Sequence, residues 1–313
     1  MDSEIDDIND FLKTSYPDNE SILVGCRVGT CNSYECCEYD IIVLESKKNE
    51  NNNNGIKQNK YNLFKFYDKN LEVFFCNKEN LMHNKEITFQ NYINLKSSVF
   101  KSTSEDYFKK KKYYNQKNFK ILTKRKLLQF ALDCTQINKL ILNDTFDQNL
   151  SSFYLKMMSF NVLELLIQLF HNETPSPSHL KYQMNTIKEN NPKIKEHVDI
   201  VSEYLELDRS NVSTITRSEK SLFFLLKHNR CNHMEIKLFG NKLSFFKTKS
   251  MYVDGNLLIH SYVKKQNFDL NYIRNYNRLL NYILDIQNKE RMKLLKELDI
   301  LFNIIKHFIK NNY

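Results

Sequence analysis

The chain has 313 residues, a formal net charge of +9, 22 Phe and 18 Tyr but no Trp, and only 5 Gly and 4 Pro. That length can bury a real core in one large domain or two ordinary ones, and the scarcity of turn formers favours long helices. The seven cysteines are odd in number and sit mostly in apolar contexts, which argues against a disulfide framework and for free thiols in a reducing cytoplasm. No uninterrupted apolar run approaches the roughly 18–20 residues of a membrane span, so no membrane partner is expected. The acidic stretch Met1 to Asp10 lacks the apolar segment of a secretion leader. The positive charge suits a nucleotide or nucleic-acid partner, and it equally suits the Asn-, Lys-, Ile- and Tyr-rich output of an AT-rich genome.

In chain order, Ile5, Ile8, Phe11 and Leu12 recur at helical spacing and predict an amphipathic helix over Ser3 to Thr14, ended by Pro17. Ser21 to Gly25 reads as a short strand and Glu38 to Glu45 as a second. Ser46 to Lys60, with Asn51 to Asn54 and Gly55, reads as a surface loop. Tyr61 to Tyr67 and Leu71 to Cys76 read as a hairpin turning at Asp68-Lys69-Asn70, and Glu86 to Leu95 as a further strand. From Ile121 the period becomes helical. Helices are predicted over Leu122 to Leu142 and Asn149 to Phe170, then near 178–188, 193–205, 210–229, 232–246, 250–265, 268–285 and 287–311. Ser176 is expected to cap the helix that follows the break holding Pro175 and Pro177, and the last two helices to pair as a hairpin. The expected fold class is α+β: a small mixed β-sheet domain over 1–100, a basic connecting segment over 101–120, and an all-helical domain over 121–313.

The chemistry concentrates between Val24 and Leu44. An apolar strand ends in Gly25-Cys26, and eleven residues, Arg27 to Cys37, lead to Glu38-Tyr39-Asp40-Ile41. Side chains two apart on a strand share a face, so Glu38 and Asp40 project together from a strand whose remainder is apolar. Paired carboxylates beside a Gly turn suit a divalent cation and a phosphate.

This pattern resembles the signature of the nucleotidyltransferase fold of the DNA polymerase beta superfamily: an apolar residue, Gly and a small residue, then two acidic residues alternating with apolar ones. Gly25 takes the glycine position and Cys26 the small one, and Leu71-Glu72-Val73 lies where such enzymes carry a third acidic residue. The resemblance implies that Glu38, Asp40 and Glu72 hold Mg²⁺, or Mn²⁺ in its place, that Gly25 and Cys26 contact a nucleoside triphosphate, and that the three carboxylates carry catalysis. It implies transfer of a nucleotidyl group to a hydroxyl on RNA, protein or a small molecule. Cys26 departs from the usual Ser, and a thiol is a weak donor. Glu38 and Glu72 stand where Asp is commoner. These departures support an alternative, a catalytically degenerate module that binds nucleotide or RNA. A third reading is a helical RNA-binding or scaffold protein with a merely structural N-terminal module.

Other constellations read more plainly. Cys31, Cys36 and Cys37 lack the second ligand pair of a zinc site. His228, Cys231 and His233 read as a junction of two helices, and His171 and His179 as loop residues beside the Pro-containing break. Lys109 to Lys112, set among Tyr107, Phe108, Tyr113 and Tyr114, combines cations with stacking rings and suits either single-stranded nucleic acid or a solvated linker.

Overall fold

The structure, a computed structural model, describes residues 2–24, 26–27, 33–45, 61–67, 69–77, 116–143, 146–171, 175–229 and 231–311. It is a small mixed sheet followed by helices, and its contacts form two compact units, Met1–Gln116 and Lys117–Tyr313. The expected loop over 46–60, the strand over 86–95 and the basic run Lys109 to Lys112 lie outside the described residues.

The first unit opens with α1 (Asp2–Ser15), closed by Tyr16 N–H donating to Leu12 O at 2.8 Å just before Pro17. Four strands follow: β1 (Glu20–Val24), β2 (Tyr39–Glu45), β3 (Tyr61–Phe66) and β4 (Lys69–Asn77). Their order in the sheet is β1-β2-β4-β3. β2 and β4 pair in parallel at the centre, and the two outer pairings are antiparallel. The turn of the β3–β4 hairpin is tighter than its sequence suggests. Lys69 and Asn70 already belong to β4, Phe66 pairs with Lys69, and Tyr67 takes the left-handed backbone (φ 50°) that two-residue hairpin loops demand.

Alternation decides which face is buried. Leu23, Tyr39, Ile41, Val43, Leu71 and Val73 share a core with Ile5, Ile8 and Leu12 of α1. Phe11 of α1 sets its ring 5.7 Å from those of Phe64 and Phe66, and Tyr16 packs on Phe75 at 5.4 Å. The intervening residues, Asp40, Ile42, Glu72 and Phe74, are thereby turned to the opposite face.

The second unit comprises α2 (Gln116–Leu142), α3 (Gln148–Phe170), α4 (Leu180–Asn190), α5 (Pro192–Tyr204), a 3-10 turn (Leu207–Arg209), α6 (Val212–His228), α7 (His233–Thr248), α8 (Tyr252–Lys265), α9 (Leu270–Ile283) and α10 (Arg291–Asn311). α3 is apolar on nearly every side. It alone among the described helices has the length and hydropathy of a membrane span, yet 67% of that stretch is buried by the fold. α4, α5, α8, α9 and α10 all pack on it. α9 and α10 each lie principally against α3 rather than pairing as the expected hairpin.

A polar network explains the divergence of those two helices. Lys156, in mid-α3, is buried and donates to Glu206 at 2.8 Å. Glu206 also meets Arg209 and Lys289, and Lys289 meets Glu297 at 2.8 Å. Asp285, in the link between α9 and α10, takes both Arg209 and Arg217. The link is thus anchored to α6 and the 3-10 turn, and both helices are drawn onto α3. Ser176 does not cap α4. That helix begins at Leu180 with His179 as N-cap, and Gln183 reaches back to accept the Ser176 N–H at 3.0 Å. The expected junction at His228, Cys231 and His233 does separate two helices, α6 and α7.

Two outcomes follow for stability. Ile8 is fully buried between α1 and the sheet, so Ile8→Ala should cost about 2–5 kcal/mol, read from denaturant unfolding. His260 in α8 is wholly buried, stacks on Phe160 and bonds through Nδ1 to Asn256 O at 2.9 Å. Burial, and then the Lys156 ammonium, hold its imidazole down to about 3. The unfolded chain takes up this proton below its ordinary value, so stability should fall by about 1.4 kcal/mol per pH unit from roughly pH 6.5 towards 3. Urea midpoints across that range should show the slope, and His260→Gln should remove its share.

Candidate metal centre

The parallel register places Asp40 directly beside Glu72, on the face opposite α1. Glu38 lies two residues before Asp40, at the entry to β2, and is buried. One carboxylate oxygen from each of Glu38, Asp40 and Glu72 lies within 4.8 Å of the other two. The three residues singled out in the sequence therefore converge at one point, two of them from one strand entry and the third from its parallel neighbour.

The donor set suits a hard cation. All three ligands are carboxylates, and oxygens on an octahedral shell of radius about 2.1 Å are separated by about 3.0 or 4.2 Å. The oxygens here lie within 4.8 Å of one another, wider than the spacing of neighbouring ligands on such a shell, so side-chain rotation would have to draw them in around an ion. Carboxylates this close repel one another, and a divalent cation among them would offset that repulsion.

Of the expected phosphate-contact residues, Gly25 lies outside the described residues. Cys26 occupies the turn after β1 with a free thiol. A side-chain hydrogen bond with Cys37, then burial, then the nearby charges of Cys37, Asp40 and Glu38, push that thiol well above the ordinary cysteine range. The thiol is held protonated and already engaged.

Arg27 is the residue that sequence reasoning passed over as part of a spacer. Its Nε donates to Cys37 O at 2.7 Å, and its Nη2 to the carbonyls of Tyr34 and Glu35 at 3.3 Å each. Its guanidinium also lies over the Tyr39 ring, 5.2 Å from the centroid. One planar fork thus ties the segment before β2 to the turn after β1, and so fixes the backbone from which Glu38 projects. A signal was present: Arg27 is the sole arginine before Arg125 in a stretch rich in lysine, and only a guanidinium offers this many rigid donors.

No protein-family model matches the chain, and neither does any curated protein.

Arg27 is a positioning residue for the carboxylates. If the carboxylates hold a divalent cation, Arg27→Lys, which keeps the charge but loses the fork, should weaken its binding about 10-fold or more. Isothermal titration with Mn²⁺ on the full chain measures this, with Arg125→Lys as a surface control that should leave binding unchanged.

Proposed function

We propose that the N-terminal unit is a nucleotidyltransferase-like module, related to the DNA polymerase beta superfamily, that binds a nucleoside triphosphate with a divalent cation and transfers its nucleotidyl group to a hydroxyl acceptor. The observation that supports this most is the convergence of Glu38, Asp40 and Glu72 across two parallel strands. Mg²⁺ or Mn²⁺ held by these carboxylates would supply the positive charge that a triphosphate and its departing pyrophosphate need. Asp40 and Glu38 project from one strand and act as the paired holders of that charge. Glu72 comes from the neighbouring strand and is placed to accept the proton of the attacking hydroxyl. The acceptor oxygen then bonds to the α-phosphorus as pyrophosphate leaves. Buried strand residues on both sides of each carboxylate limit side-chain reorganisation, which is what charge stabilisation in the transition state demands. The free thiols are consistent with a cytoplasmic setting for this chemistry.

A second reading is favoured by one observation, the Cys26 thiol. At the position where a hydroxyl usually meets phosphate, it is hydrogen bonded to Cys37 and kept protonated. A module with this residue can retain the charged ligand and lose transfer.

Asp40→Asn keeps the shape and removes a metal-holding charge. If transfer occurs, this change should reduce it by orders of magnitude. The assay supplies the purified chain with each labelled nucleoside triphosphate, Mg²⁺ or Mn²⁺, and cell extract, then follows label onto RNA, protein or small molecules. Asp40-dependent labelling supports the transferase. Asp40-dependent triphosphate binding without labelling supports the second reading, and the absence of both rejects the site. Cys26→Ser should preserve or raise transfer, because a hydroxyl is the stronger donor.

A further inference from the structure

The seam between α6 and α9 carries a run of rings that no part of the carboxylate site uses. Phe268 stacks on Tyr272 with centroids 4.5 Å apart and planes 6° apart, and Tyr272 lies 4.5 Å from Tyr276. Tyr276 meets His228 at 5.9 Å, and His228 lies nearly parallel to Phe224, 9° apart. The run thus crosses from one helix to the other. It ends at Phe224, whose side chain is 64% exposed. Hydrogen bonds fix the middle of it: Tyr272 Oη donates to Asn229 Oδ1 at 2.8 Å, and Tyr276 Oη lies 3.3 Å from His228 Nε2. Further along the same two helices, Arg217 lies over the ring of Tyr282, which is 51% exposed.

Carboxylates near it are engaged: Asp269 caps α9 by accepting the Tyr272 N–H, and Asp285 pairs with Arg209 and Arg217, whereas the charged side chains flanking Phe224 on its own face of α6 are cationic. Lys220, Phe224 and Lys227 stand at i, i+4 and i+7 and share one exposed face of α6. On α9, Arg278 and Tyr282 stand four apart on another exposed face, and that helix contains no acidic residue. Among the described residues no carboxylate pairs with Lys220, Lys227 or Arg278, whereas Glu219 of α6 is already taken by Lys247. A docking face for an apolar protein segment has no use for unpaired cations beside exposed aromatic rings. Alternating cations and π-faces suit phosphates and bases together.

We propose that the α6–α9 seam binds single-stranded nucleic acid, with a base stacked on Phe224 and backbone phosphates on Lys220, Lys227 and Arg278. The surface belongs to the helical unit and stands independently of the carboxylate site.

The test measures fluorescence anisotropy of a labelled, unstructured 12-nucleotide RNA with the full chain, in which Lys109 to Lys112 have been changed to Gln to silence that basic run. The single strand should bind more tightly than a duplex of the same length. Three phosphate contacts should give a slope of about −2 in log affinity against log salt. Phe224→Ala should weaken binding about 10-fold with the slope unchanged. Phe224→Leu should weaken it similarly, because apolar area without a π-face does not stack a base. Lys220→Gln with Lys227→Gln should flatten the slope by about 1.4. All three positions are exposed, and circular dichroism will verify that each variant is folded. Asp40→Asn should leave this binding intact, which separates its failure from that of the carboxylate reading. Equal duplex affinity, binding indifferent to Phe224, full rescue by Leu, or preference for anionic lipid vesicles over RNA would each overturn the proposal.

Discussion

The parallel pairing of β2 with β4 is the constraint on which the candidate site depends. It sets Asp40 beside Glu72, an arrangement that costs energy in an ordinary sheet because like charges in register repel. The register is held from the other face. Tyr39 beside Leu71 and Ile41 beside Val73 are buried against α1, and a slip of one residue in β4 would turn Val73 outward and Glu72 into the apolar core. Burying a lone carboxylate there costs far more than the repulsion it would relieve. The convergence of the acids is therefore enforced by the apolar residues between them.

That coupling explains what the sequence did and did not disclose. The two-residue period of Glu38-Tyr39-Asp40-Ile41 is readable in one dimension, and so is the apolar set that faces α1. The helical stripe of Ile5, Ile8, Phe11 and Leu12 is legible for the same reason. Pairing between strands is not local. Nothing near Glu72 states that β4 will lie parallel to β2 and in the register that brings Asp40 opposite. Arg27 was harder still, because its partners are main-chain carbonyls, which carry no residue identity. In the helical unit, element existence was legible from the 3.6-residue period, but partner choice was not. The link at Asp285 is pulled aside by two arginines from distant positions, so adjacent helices in sequence separate in space.

The helical unit solves a different problem. Its central helix is so apolar that it needs covering on all sides, and the one charged side chain it buries, Lys156, is accepted because Glu206 receives it. Burial lowers the affinity of Lys156 for its proton and the Glu206 carboxylate opposes that change. Glu206 adopts a left-handed backbone (φ 55°), unusual for a residue with a side chain, at the point where α5 gives way to the 3-10 turn. That local cost is tolerated where the ion pairs from three elements over-determine the position. Such a network adds little net stability over apolar packing, but it penalises any arrangement that leaves one of its charges alone.

Neighbouring residues of one turn bear on the function in opposite ways. Cys26 is a poor phosphate donor and is occupied by Cys37, which weakens the case for transfer. Arg27, next to it, spends its donors on holding the entry to β2, which keeps Glu38 trained on Asp40 and Glu72. In the proposed function, cation binding therefore depends on the carboxylate geometry that Arg27 holds, and group transfer on the chemistry at Cys26.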